Sequence, residues 1–223
     1  MSIENIKTYW LYLLGLPKTI LFNVRYFPFM TAIKLPVFIS HRVWLKTLKG
    51  TIELAEEKTG IVKIGFGEVA IFDSNSSRSI WHVSGKVSFK GRAIIGHGSK
   101  ISVHGELILG DMFTISAESS IVVHKRITFG DNVMLSWEVL VMDTDLHEIY
   151  DMDNKLINAP REITVGDNVW IGCRSLVLKG SNIAHGVIIA AGTKVFGTID
   201  DHNSIIGEKI PLLPIKNNVI WKR

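Results

Sequence analysis

The stretch VGDNVWIGCRSLVLKGSNIAHGVIIAAGTKV, residues 165–195, carries an aliphatic residue at every sixth position: Val165, Ile171, Val177, Ile183, Ile189 and Val195. An amphipathic helix needs spacings of three and four, so these positions do not form one helix face. Gly166, Gly172, Ala184 and Ala190 directly follow four of the six aliphatics. Short strands turning at regular, closely approached corners satisfy both observations. With one hexad per side, a three-sided coil returns to its starting side after about 18 residues. Equivalent aliphatics then stack between coils, and parallel ladders satisfy the backbone N–H and C=O groups. No hexad is stable alone; stacked neighbours create the shared apolar interior.

Towards the N-terminus, Phe129-Gly130-Asp131-Asn132 copies Val165-Gly166-Asp167-Asn168, and Leu109-Gly110-Asp111 is a third copy. Leu109, Ile115, Ile121 and Ile127 keep the spacing of six, and Phe129, Leu135 and Val141 resume it two residues out of phase. This shift predicts a short corner insertion. Val87, Ile95 and Val103 lie eight apart, which predicts wider initial coils or bulged corners. The expected fold is therefore all-β, a parallel solenoid over residues 50–205. A segment 1–49 precedes it and a tail 206–223 follows.

The 25 Lys+Arg exceed the 21 Asp+Glu by only four, too small an excess to imply nucleic acid. Hydrophobic residues at 47% and charged residues at 21% exclude a disordered chain. The single cysteine, Cys173, forms no intrachain disulfide and no cysteine metal site. Pro17, Lys18, Arg25, Pro28, Lys34 and Pro36 break the apolar run from Tyr9 to Ser40, so none of it approaches the roughly 20 residues that cross a bilayer. Trp10, Tyr12, Tyr26 and Phe27 alternate with basic residues there. That pattern suits either peripheral contact with a membrane surface or a cover for the main domain. The expected location is cytoplasmic, at most peripheral on the cytoplasmic membrane.

Between Val141 and Ile163 the hexads give way to MDTDLHEIYDMDNKLINAPRE, a polar segment rich in acids with one histidine, His147. Such a segment cannot replace an aliphatic side and should protrude, as functional loops on rigid scaffolds do. An imidazole of ordinary pKa about 6.5 is largely neutral and basic near pH 7, which suits it to remove a proton from a hydroxyl. Asp143, Asp145 and Glu148 are candidate orienters of the ring, with Asp145 best placed. Bulky Leu146, Ile149 and Tyr150 interrupt the acids and there is no glycine-centred ion loop, so no metal site is expected.

The repeat over 165–195, the histidine loop and the return through Asn158-Ala159-Pro160 resemble the hexapeptide-repeat acyltransferases, whose fold is a left-handed parallel β-helix. Within that family the chain is similar to bacterial sugar O-acetyltransferases of exopolysaccharide and capsule synthesis, whose N-terminal segment resembles FNVRYFPFMTAIKLPVFIS, residues 22–40. The resemblance implies direct transfer of an acetyl group from acetyl-CoA to a sugar hydroxyl of a polysaccharide precursor. His147 would be the general base and Asp145 its partner. It further implies a homotrimer with active sites between subunits. Trp170, the amide of Cys173, Ala190 and Ala191 would line the cofactor's pantetheine arm, with Lys194 and Lys209 near its phosphates and distal part. Asp143, Asn158 and Trp137 would face the acceptor. N-acylation of an amino-sugar nucleotide and a non-catalytic adaptor are the alternative readings.

Overall fold

The computed structural model describes residues 3–208; Lys209 and the rest of the expected tail lie outside the described residues. The first coil consists of β1 (Val37–Ile39), β2 (Val43–Leu48) and β3 (Thr51–Leu54). Every third strand thereafter joins the same sheet. Sheet A, begun by β1, has eight strands among the described residues, and sheets B and C, begun by β2 and β3, have seven each. The ladders between coils are parallel, which is what a chain wound three sides to a turn must produce.

The hexad series falls on all three sides. Ile171 pairs with Ile189 in sheet A, Val177 with Val195 in sheet B and Val165 with Ile183 in sheet C, each pair 18 residues apart. All six are buried. Earlier coils step by 20 residues: Ile95 to Ile115 to Leu135 in sheet A, and Ile101 to Ile121 to Val141 in sheet B. The two extra residues are the expected corner insertion: Val122 to Thr128 spans six residues, whereas Leu178 and Asn182, which follow them along the ladders, are four apart, so the earlier coils carry two more residues where sheet B passes to sheet C. In sheet C, Leu107 and Leu109 pair with Ile127 and Phe129, and all four point inward on four-residue strands. Two inward residues on one side also occur where the step is 18, at Ile163 and Val165, so the phase shift comes from the corner and not from the strand. The prism also starts earlier than Gly50, because β1 and β2 lie within the segment 1–49.

Two corners show why the repeat takes its particular residues. Where sheet C passes to sheet A, the Gly-Asp turns stack: Oδ1 of Asp167 accepts the Asp131 N–H at 2.8 Å, and Oδ1 of Asp131 accepts the Asp111 N–H at 2.7 Å. The next residue in each turn is left-handed, with φ of 58°, 54° and 55° at Met112, Asn132 and Asn168. Asparagine adopts that conformation more readily than most side chains. Where sheet B passes to sheet C, Gly50, Gly85 and Gly105 form a column. A Cβ on any of them would lie 2.0–2.2 Å from a carbonyl oxygen of the next coil, so only glycine fits.

The N-terminal segment forms α1 (Ile3–Tyr26) and α2 (Phe29–Ala32). Helix α1 lies across the end of the prism and satisfies the edge that β1 leaves open. The Asn23 amide donates to the Val37 carbonyl at 2.7 Å and accepts the Val37 N–H at 3.2 Å. The Thr19 hydroxyl accepts the Ile39 N–H at 2.9 Å, and Lys18 donates to the carbonyls of His41 and Val43, both at 2.6 Å. Phe22, fully buried, meets Trp81 edge-on at 5.5 Å. A strand edge covered in this way offers no template for pairing with another chain.

The outer surfaces of the three sheets differ. Sheet C carries the ion pairs Glu53–Lys86 and Glu106–Arg126. Sheet A instead presents Met134, Trp170 and Ile205, all exposed. Sheet B presents partly buried Val122, Leu140, Met142 and Leu176.

Candidate active site

The polar loop leaves sheet B after Leu140–Met142 and re-enters sheet C at Ile163–Val165. Its stem is fixed by Asp143, which is fully buried. The two carboxylate oxygens accept the N–H groups of His124 and Lys125, each at 2.7 Å, and its own carbonyl accepts the Arg161 N–H at 3.0 Å. Asp143, expected to face the acceptor, thus spends both oxygens on the backbone of the preceding coil.

Above the stem, Asn158 ties the two arms of the loop together. Its amide nitrogen donates to Oδ2 of Asp145 at 2.9 Å and to the His147 carbonyl at 2.8 Å, and its amide oxygen accepts the Ile149 N–H at 2.7 Å. Lys179, from the next coil, donates to the same Asp145 oxygen and, at 2.8 Å, to the Asn158 carbonyl. Lys179 first, and then Asn158, hold the Asp145 carboxyl below its usual pKa. The carboxylate expected to orient the imidazole is therefore committed to Lys179 and Asn158. It acts on His147 through the backbone, since the His147 N–H also donates to the Asp145 carbonyl at 2.8 Å. Between them Leu146 is left-handed, φ 65°, and its N–H is held by the Thr144 hydroxyl at 3.0 Å.

This clamp leaves the imidazole of His147 exposed, with no hydrogen-bond partner among the described residues. It lines an open cleft of about 430 Å³ together with His124, Thr144, Leu146, Asn158 and Pro160. A neutral imidazole so placed has a free ring nitrogen to offer an incoming hydroxyl.

The residues expected at the cofactor lie elsewhere on the prism, and so does Trp137, which was expected to face the acceptor. Trp170 sits on the outer face of sheet A between Met134 and Ile188, 44% exposed, and its ring N–H donates to the Ser136 hydroxyl at 2.9 Å. Trp137, Cys173, Ala190 and Ala191 occupy successive coils at the corner between sheets A and B. There the Arg174 N–H donates to the Trp137 carbonyl at 3.1 Å and the Gly192 N–H to the Cys173 carbonyl at 2.8 Å. Lys194 is exposed on sheet B beside Leu176. None of these residues lines the His147 cleft, which rises from the corner between sheets B and C. Within one chain the structure brings His147, Asn158 and Asp145 together and leaves the second group on the neighbouring corner.

Lys179, Thr144 and His124 were not singled out by the sequence. Coil arithmetic could have found Lys179: Met142 pairs with Leu178, so the residue after each shares a corner, and Lys179 follows the coil from which the loop departs. Among the described residues no three His, Cys, Asp or Glu side chains are grouped to hold a metal ion.

No family model matches the chain. The chain is 30% identical over 203 residues to an uncharacterized 24.8 kDa protein of the cps region of Klebsiella pneumoniae, covering 87% of this chain and 85% of that one. It is 29% identical over 144 residues to a polysialic acid O-acetyltransferase of Escherichia coli O1:K1, covering 64% of this chain and 44% of the relative, so the match spans less than half of that protein's length. Among solved structures, a polysialic acid O-acetyltransferase, OatWY, is 18% identical over 81% of this chain and 87% of its own, with a TM-score of 0.47. With hexads wound into a three-sided parallel prism, a histidine loop at one corner and this near full-length likeness, the chain belongs to the hexapeptide-repeat acyltransferases, the family of left-handed parallel β-helices.

Proposed function

We propose that the chain transfers an acetyl group from acetyl-CoA to a sugar hydroxyl of a polysaccharide precursor, with His147 as general base. The observation that carries this reading is the exposed imidazole, held at the mouth of a cleft by a loop whose two arms are pinned by Asp145, Asn158 and Lys179. In the proposed reaction a ring nitrogen of His147 takes the proton as the acceptor oxygen bonds to the thioester carbonyl carbon. The tetrahedral intermediate collapses, the C–S bond breaks, and the imidazolium returns the proton to the departing thiolate. Asp145 and Asn158 are positioning residues in this scheme. The saccharide named for the Escherichia coli relative supports a glycan acceptor.

The cofactor side is proposed to come from a second subunit of a homotrimer. Supporting this, Cys173, Ala190 and Ala191 share one corner while His147 rises from another, and at the level of the loop the intervening sheet B presents Leu140, Met142 and Leu176 on its outer face. Neighbouring chains packed against sheets A and B would leave the ionised sheet C to solvent. The test is purified protein with acetyl-CoA and candidate saccharides, read as thiol release and as acetylated product by mass spectrometry. His147→Ala should lower turnover by about 10²- to 10⁴-fold with the assembly unchanged. Near wild-type transfer by that variant would remove the base from the scheme, and transfer to an amine alone would make the reaction N-acylation.

A further inference from the structure

Helix α1 has two unlike sides. One side packs on the end of the prism through Thr19, Phe22 and Asn23. The opposite side consists of Trp10, Leu13, Leu14, Ile20, Leu21 and Val24, each 40–64% exposed, and no polar residue interrupts it. Phe29, Met30 and Ile33, 55–75% exposed, extend this surface past the helix end. An exposed apolar surface of this extent marks a contact. Charge identifies the partner. Residues 1–49 hold seven Lys and Arg against one acid, Glu4, and the rest of the chain holds 18 basic to 20 acidic residues. The positive excess of the sequence therefore lies in the segment that carries the apolar surface, with Arg25 exposed beside Val24. A second copy seated there would bring two such basic segments together, whereas anionic headgroups would neutralise them. Beside the surface, Tyr9, Leu16, Leu35 and Phe38 line an apolar groove of about 270 Å³ with room for part of a lipid tail. No helix among the described residues is long and apolar enough to cross a membrane, so the helix would lie on the surface.

We infer that the outward side of α1, continued by α2, docks on the surface of an anionic lipid bilayer and stands the prism upright upon it. Because α1 crosses the ends of β1 and β2, its free side points away from the coils and leaves the His147 cleft, several coils along, unobstructed. The inference is independent of the proposed acetyl transfer, and its test reads no activity. Full-length protein is floated with vesicles of phosphatidylglycerol and phosphatidylethanolamine and, separately, of phosphatidylcholine alone. The wild type should float with the anionic vesicles, and both phosphatidylcholine and the combined variant Leu13→Gln, Ile20→Gln, Val24→Gln should lower the partition coefficient at least about tenfold. Circular dichroism and the thermal midpoint check that the variant is folded. A wild type that floats with neither vesicle would overturn the inference whatever the variant does, as would equal binding by a folded variant. A lower solution mass for the variant, with no vesicle binding by the wild type, would assign the surface to a second copy.

Discussion

Lys179 is the residue whose importance the structure adds. Its ammonium group joins Asp145 to the Asn158 carbonyl and so fixes the arm that carries His147. If His147 is the base, as proposed, Lys179→Met should lower kcat by roughly tenfold or more through its misplacement, with KM for the acyl donor changed little. Partial rescue by Lys179→Arg would distinguish positioning from loss of fold. His97 supplies a second prediction at this scale. Its ring is 1% exposed, and neither nitrogen has a partner among the described residues. Burial, opposed by Glu118 and Glu68 and aided by Arg42 and Lys100, lowers its pKa. The unfolded chain then binds a proton more readily than the folded one, so this contribution to stability is intact above the ordinary histidine pKa of about 6.5 and is lost as pH falls below it. Urea midpoints measured between pH 7.5 and 5 should decline, and His97→Asn should flatten the slope. His147 was legible in the sequence because it is the one histidine in the break of the repeat. Lys179 was not, because its partner lies 34 residues away and only the closing of a coil brings them together.

Elements of this fold are defined by what the neighbouring coil leaves open. Gly85 sits between Gly50 and Gly105 with carbonyl oxygens at contact distance, and the obstruction is backbone that cannot rotate away. Gly85→Ala should therefore destabilise the prism by about 1–3 kcal/mol, measured as a shift of the chemical unfolding midpoint. At the end of the stack, Asn23→Ala strands the Val37 N–H and C=O beneath α1, at a cost of about 1–3 kcal/mol. The hexads from Val165 to Val195 announced their strands because every corner there takes the same number of residues, so the spacing never varies. The coils before them concealed their period. Two extra residues at the corner between sheets B and C, such as His124 and Lys125, break the count of six while leaving the sheets unbroken. Helix α1 was illegible for a different reason: its apolar residues face outward, Pro17 lies inside it, and the side turned to the prism carries Lys18, Thr19 and Asn23, the reverse of the stripe by which a core-facing helix is recognised.

At the scale of the molecule, the separation of His147 from the corner of Cys173 and Ala191 gives the proposed assembly its test. A single prism is too rigid to fold one corner onto another, since continuous ladders tie every coil to the next. If the catalytic group and the cofactor surface are to meet, they meet between chains, in a closed ring where each sheet B faces a neighbour. This predicts complementation. A His147→Ala chain keeps the cofactor corner, and an Ala191→Trp chain, blocked at that corner, keeps the base; each alone should be inactive. Co-expressed and randomly mixed, a site works only where an intact base meets an intact corner, so activity should return to about a quarter of wild type. Mixing chains that both carry His147→Ala and Ala191→Trp should restore nothing, which controls for contamination. A mixture no more active than its parents, with the chains shown by native mass spectrometry to share one assembly, would place the whole site within a single prism.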